Sequence, residues 1–290
     1  MMEPHITGTT EEVKKQTPRV KKYFNTSKQF ESCIYYSTYS DDTAIVMAEC
    51  SELAYEEEHL LKNHLEDGQM ELKLIRDEDP QFFLAEHAHY IVLAFRGTES
   101  DNIQDIITDL SIKRQSTKQG KIHTGFLNSY CRVHHELSSY LKNTNKPIYI
   151  TGHSMGAALA VIATAQLSSC TLSACYNFGS PHIGSPEFDS HLRVPVYRIV
   201  NVGDIVPNLL NWHVGYYHPG YTYYLTKGNQ LTRSLGVARR VSNFVIHQKY
   251  KWLKKDQKSL LSHHSMSEYL RKLQKIAVSR RNFTYNSVCD

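Results

Sequence analysis

Nowhere in its 290 residues does this chain approach the roughly 18–20 consecutive apolar residues of a membrane-spanning helix. That argues against a helical membrane protein. Its start, Met1-Met2-Glu3-Pro4-His5, lacks the apolar core of a secretory signal. We therefore expect a cytoplasmic protein, or one exported without such a signal. Cysteine is sparse. The six residues Cys33, Cys50, Cys131, Cys170, Cys175 and Cys289 are scattered, and none shows metal-site spacing. They read as free thiols, mostly buried, in a reducing compartment, and no metal is expected. There is no internal repeat. With 41% hydrophobic and 21% charged residues, the composition is that of a large packed core and not of a disordered chain. Acidic residues are scarce at one end only. Residues 227–290 hold 14 Lys plus Arg against 3 Asp plus Glu, whereas residues 1–226 hold 19 against 26. A basic end on an acidic body predicts attraction to an anionic partner.

What is present is an alternation of strand and helix signals. Residues 41–65 read as one helix, with Ala44, Met47, Ala48, Leu53, Leu60 and Leu61 among charges and Asp42 or Thr43 as its cap. Residues 89–95 form an apolar run with the character of a buried strand. A helix is predicted over 125–141, a strand over 147–151, a helix over 155–168, and strands over 172–178 and 196–201. A last helix follows His264 and ends near Ile276. This order predicts an α/β fold with a mostly parallel central sheet and helices on both faces. The domain is expected to span 36–280, with a basic insertion at about 221–262. Residues 1–35 read as a loosely ordered arm and 281–290 as a tail. Within the insertion, Val241, Phe244, Val245 and Trp252 lie at near-helical spacing among Arg239, Arg240, Lys249, Lys251, Lys254 and Lys255, the pattern of a short basic amphipathic helix.

The most telling segment is Gly152-His153-Ser154-Met155-Gly156, set between the 147–151 strand and an alanine-rich helix start. In that context the pentapeptide reads as a nucleophile elbow, with Ser154 exposed above the sheet and both glycines needed for close approach. A serine hydroxyl needs a base, and the base needs an orienting carboxylate. Asp204 follows the 196–201 strand directly, where such sheets collect their reactive groups. Asp189 and Asp256 are weaker rivals. The base must come later in the chain, and His213, His218, His247, His263 and His264 all qualify. Two N–H donors for a developing oxyanion are expected from Met155 and from Thr98, after the turn at Gly97. Beyond Thr98, Ile103, Ile106, Ile107 and Leu110 line one face of a helix that reads either as core-facing or as a lid.

Taken in order, these motifs resemble the class 3 lipase family, the fungal-lipase-like branch of the α/β-hydrolases. Phe95-Arg96-Gly97-Thr98 resembles the oxyanion loop, and residues 102–110 resemble the helix or lid after it. His123-Thr124-Gly125-Phe126, Phe178-Gly179-Ser180-Pro181-His182-Ile183-Gly184 and Asn201-Val202-Gly203-Asp204-Ile205-Val206-Pro207 match further family signatures. His264-Ser265-Met266 with Tyr269 resembles the closing motif. The resemblance spans about 40–275. Met155 stands where the family usually has Leu, and Ala157 where it often has a second Gly. The resemblance implies a Ser154, Asp204, His264 triad with Thr98 and Met155 at the oxyanion, acting on carboxylic esters of lipids as an acylglycerol lipase or phospholipase A. It implies no cofactor, and no nucleic-acid partner is expected. The basic C-terminal region adds an expected peripheral contact with an anionic membrane surface. The alternative reading is a catalytically inert lipid-binding or scaffolding module of the same fold.

Overall fold

A computed structural model describes residues 21–25, 37–97, 113–167, 170–208, 217–235 and 262–288, with side chains as far as residue 282. In chain order the described elements are α1 (Asp41–Leu53), α2 (Glu58–Asp67), β1 (Glu71–Arg76), β2 (Phe82–Glu86), β3 (Ile91–Phe95), β4 (Arg114–Thr117) and β5 (Gly120–His123). They continue as α3 (Thr124–Leu141), β6 (Ile148–His153), α4 (Met155–Gln166), β7 (Leu172–Phe178), β8 (Val196–Asn201), β9 (Tyr221–Leu225), β10 (Leu231–Thr232) and α5 (Met266–Val288). Eight strands form one sheet in the order β1-β2-β3-β6-β7-β8-β9-β10, and β4 and β5 pair separately as a hairpin. Strands β3, β6, β7, β8 and β9 run parallel. The two ends of the sheet are antiparallel.

The parallel centre arises because its strands are apolar on both faces. In β3 and β6, Ile91, Leu93, Phe95, Ile148 and Ile150 point to a core shared with α3 and α4. Val92, Ala94 and Tyr149 point to the other, shared with α1 and α5. α3 buries Phe126, Tyr130, Val133, Leu137 and Leu141 on one stripe. α4 is buried on nearly every side, and its small residues let it press against the sheet. Here the expected helices and strands are observed to within two residues.

Five expectations need correction. The predicted 41–65 helix is two helices, broken at residues 54–57 without Gly or Pro; the break lets Tyr55 turn toward the elbow. Its cap is Ser40, whose hydroxyl accepts from the Thr43 N–H at 3.3 Å. Within the expected loose arm, Tyr23 and Phe24 are buried against α1 and α2, and the Phe24 N–H reaches Glu49 Oε2 at 3.1 Å. Burial pushes the Glu49 carboxyl up to about 8. At the other end, α5 runs through the expected tail to Val288, because nothing in 266–288 breaks a helix and Arg280 and Arg281 pair with Asp41 and Asp42. The start of the expected basic insertion is strand, as β9 and β10 complete the sheet. The predicted basic helix around Trp252 lies outside the described residues.

Candidate active site

The sheet brings the reactive groups together at the carboxyl ends of β6 and β8. Ser154 sits between β6 and α4 with φ 58° and ψ −126°, a left-handed conformation that costs a non-glycine residue about 1–3 kcal/mol. Crowding enforces it. A Cβ on Gly152 would lie 2.4 Å from the Gly156 carbonyl oxygen, and one on Gly156 would lie 2.4 Å from the Phe95 oxygen. Strand, turn and helix therefore cross at backbone distance. Ser154 is 5% exposed, and its N–H is held by the Phe178 carbonyl at 3.0 Å. Met155 is the first residue of α4, so its N–H lies at the positive end of the helix dipole.

Asp204 follows β8 through the turn at Val202-Gly203, where Gly203 has φ +106°. Its Oδ1 accepts from the Val206 N–H at 2.9 Å. Its Oδ2 accepts from the Tyr269 hydroxyl at 2.6 Å and from His264 Nδ1 at 2.8 Å. Asp204 and His264 are 4% and 1% exposed. A carboxylate accepts and never donates when ionised, so Nδ1 carries the imidazole proton and Nε2 holds the lone pair. That Nε2 is buried and, among the described residues, has no hydrogen-bond partner; the Ser154 hydroxyl does not bond to it. Gly179, at φ +62°, closes the pair from one side, since a Cβ there would meet Asp204 Oδ2 at 2.9 Å and the His264 ring at 3.0 Å.

Behind the pair stands a second layer of polar groups. Tyr269 also accepts from the Asn201 N–H at 3.0 Å, and Lys272 Nζ donates to Asn201 Oδ1 at 2.6 Å. Burial and the Asp204 charge hold the Tyr269 hydroxyl well above its ordinary pKa, so it stays a donor. His153, within the elbow itself, is buried. Its Nε2 lies 2.6 Å from the His264 carbonyl oxygen, its Nδ1 lies 3.0 Å from the Tyr55 hydroxyl, and its ring is 4.4 Å from that of His264. Burial and the neighbouring His264 hold it well below the usual histidine range. Tyr269 was legible as part of a motif. His153 was visible only as a letter of the pentapeptide, and Tyr55, about a hundred positions away, gave no signal.

The rival residues are otherwise engaged. Asp189 Oδ1 accepts from the Gly220 N–H at 2.8 Å. His218 is half-buried and packs against His182, Arg198 and the Pro207 carbonyl. The His263 ring packs over Gly203, and its carbonyl accepts from Asn201 Nδ2 at 2.8 Å. Thr98, the 102–110 helix or lid, His213, His247 and Asp256 lie outside the described residues. Gly97, which introduces Thr98, is packed so closely that a Cβ would lie 2.4 Å from both the His153 oxygen and the Tyr55 hydroxyl and 3.1 Å from Ser154 Cβ. Among the described residues no cluster of His, Cys, Asp and Glu could hold a metal ion, and no helix is long and apolar enough to cross a membrane. Of the described cysteines, Cys50 and Cys175 are buried free thiols and Cys170 is partly buried; Cys131, expected among mostly buried thiols, is exposed.

Sheet order, elbow and acid loop together define an α/β-hydrolase fold. The structure of Rhizomucor miehei triacylglyceride lipase superposes with a TM-score of 0.57 at 24% identity, covering 66% of this chain and 83% of that one. Residues 92–214 match the family described as Lipase (class 3). A lipase of Rhizomucor miehei is 32% identical over 177 residues, 55% of this chain and 48% of its own length. The secreted mono- and diacylglycerol lipase A of Penicillium cyclopium is 28% identical over 158 residues, half of each chain. The chain thus spans about half the length of the curated relatives it matches. These matches support the class 3 lipase family for this chain, in agreement with the motifs.

Proposed function

We propose that this protein is a serine hydrolase that cleaves carboxylic esters of lipids, of acylglycerol lipase or phospholipase A type. The observation that carries the reading is the buried His264–Asp204 pair, with its one unbonded nitrogen, on the same face as the strained Ser154. His264 Nε2 takes the hydroxyl proton as Ser154 Oγ attacks the ester carbonyl carbon. The carbonyl oxygen gains the electron pair and is held by the N–H groups of Met155 and Thr98. Collapse of that adduct expels the alcohol, which receives the proton from His264 and leaves an acyl-enzyme. A water then gives its proton to His264 and attacks the acyl carbon. Expulsion and reprotonation of Ser154 release the acid. Asp204 fixes the His264 tautomer and offsets the imidazolium charge. Ester and water are the only reactants.

The relatives' names make acylglycerol esters the first substrates to try. Replacing Ser154 by Ala should lower hydrolysis of a short-chain nitrophenyl ester at least about a thousandfold. A fluorophosphonate should label the wild type at Ser154. Wild-type hydrolysis by the alanine variant would remove the assignment. An unlabelled, inactive wild type would favour the inert lipid-binding module instead.

We further propose that the basic region meets an anionic membrane surface. The proposal places that contact in 233–258, which holds eight Lys and Arg, because Arg280 and Arg281 are engaged by Asp41 and Asp42 and Lys272 is buried. Binding to phosphatidylserine vesicles should fall steeply as salt shortens the screening length toward about 8 Å and below. Salt-independent binding, or none, would refute it.

A further inference from the structure

The residue before the elbow serine does more than complete the turn. His153 Nε2 faces a carbonyl oxygen, that of His264, at 2.6 Å. A carbonyl can only accept, so Nε2 must carry the proton. Nδ1 then holds a lone pair, and its partner, the Tyr55 hydroxyl at 3.0 Å, must donate. Neutral imidazole in this one tautomer satisfies both bonds. The deep burial of the ring, 4% exposed, favours the same uncharged form. The ring also lies against the His264 ring at 4.4 Å between centroids, tilted by 34°.

The arrangement has a consequence for geometry. Asp204 fixes His264 from the Nδ1 side only, and a ring held at one edge can still swing about that bond. His264 enters its position from a stretch between the acid loop and α5, far in sequence from the elbow. We propose that His153 is a positioning residue. Its Nε2–H ties the backbone of His264 to the strand that carries Ser154, and its ring face supports the His264 imidazole, so that Nε2 meets the Ser154 hydroxyl. Tyr55 locks the required tautomer. It reaches His153 because the first helix stops at Leu53 and the chain turns at residues 54–57. The Tyr55 hydroxyl and the His153 carbonyl both crowd Gly97, so one contact set gathers the elbow, the base and the start of the loop to Thr98. The inference rests on the triad reading.

The test compares two amides. A glutamine at 153 can set its amide nitrogen where Nε2 stands, whereas the shorter asparagine reaches only the Nδ1 position. With a short-chain nitrophenyl ester, His153→Asn should lower kcat about 30–100-fold with KM within about twofold, the loss typical of a base displaced by about 1 Å. His153→Gln should recover to within about fivefold of wild type. Tyr55→Phe, which keeps the ring and removes the donor, should lower kcat about 3–10-fold. Thermal melts accompany each variant. A merely structural role would lower the melting temperature and would not separate Gln from Asn. Equal losses in the two amide variants, or wild-type kcat in His153→Asn, would overturn the proposal. If the asparagine variant does not fold, full kcat in Tyr55→Phe does the same. Fluorophosphonate labelling keeps the two readings apart. An unlabelled wild type sinks the triad, whereas a labelled wild type with an unimpaired His153→Asn sinks only the brace.

Discussion

β8 carries two buried polar clusters, and they differ in how completely they are satisfied. At its carboxyl end, Asn201, Asp204, His264, Tyr269 and Lys272 bond to one another, and among the described residues His264 Nε2 is the single atom of the cluster left over. Three residues before Asn201, on the opposite face, Arg198 lies buried with no carboxylate of the described residues bonded to it. Among the described residues its Nε has no hydrogen-bond partner, nor do His218 Nδ1 and the two polar atoms of the Asn177 amide. Arg198 Nη2 and the Pro207 carbonyl both approach His218 Nε2, at 2.9 and 2.7 Å, yet that nitrogen can serve only one of them. Desolvation lowers the Arg198 guanidinium to about 10. The lesson is one of economy. In the first cluster every group but one is spent on orientation, so the open valence has a defined direction. In the second, several groups compete for too few partners, which costs stability and directs nothing.

The largest test of this contrast is on activity. Asp204→Asn should lower kcat about 10³–10⁴-fold, because an amide can present a donor to Nδ1 and reverse the tautomer. Asp189→Asn, a bonded aspartate without a histidine, should leave kcat within about twofold. Steady-state assays of both decide it. Next comes stability. Asn201→Leu strips Lys272 of a buried partner and should cost about 2–4 kcal/mol in urea unfolding. Asn177→Leu removes an unpartnered amide and should be neutral or stabilising within about 1 kcal/mol. Equal losses would erase the distinction drawn above.

A smaller effect is expected at Tyr269. Tyr269→Phe deletes one of three donors to Asp204 and should lower kcat about three- to tenfold with the melting temperature reduced by a few degrees. The smallest effect concerns pH. Burial, Arg198 and His182 hold His218 well below the ordinary histidine value, and burial does the same for His153. The folded state therefore binds fewer protons than the unfolded one below about pH 6.5, and stability must fall as pH drops through that range. His218→Gln should flatten the fall in melting temperature between about pH 7 and 5. An unchanged slope would mean that His218 titrates alike in both states.

Much of this was legible in the sequence, for identifiable reasons. Central strands announce themselves because both faces are buried, so β3, β6, β7 and β8 read as apolar runs. The outer strands do not: β1, Glu-Leu-Lys-Leu-Ile-Arg, at one edge, and the tyrosine-rich β9, next to the other, owe their strand state to their neighbours. The elbow and the acid loop were legible because close backbone crossings demand glycine, and Gly152, Gly156, Gly179 and Gly203 mark them. The break at residues 54–57 was not, because no local residue forces it; the packing of Tyr55 on His153 does. Five histidines were open as base from position alone. What separates His264 is the carboxylate at its Nδ1, a contact across sixty residues that spacing cannot express.

The terminal helix adds an implication for how the molecule comes into being. α5 supplies Tyr269 and Lys272, follows directly on His264, and is fastened by Arg280 and Arg281 to the opening residues of α1. During synthesis, Ser154 and Asp204 leave the ribosome more than a hundred and about sixty residues before this helix is available. The nascent chain can thus present the parallel centre of its sheet and its serine before His264 and α5 are in place. On the proposed triad, competence waits until α5 folds back onto α1 and sets Tyr269 and Lys272 behind His264 and Asp204.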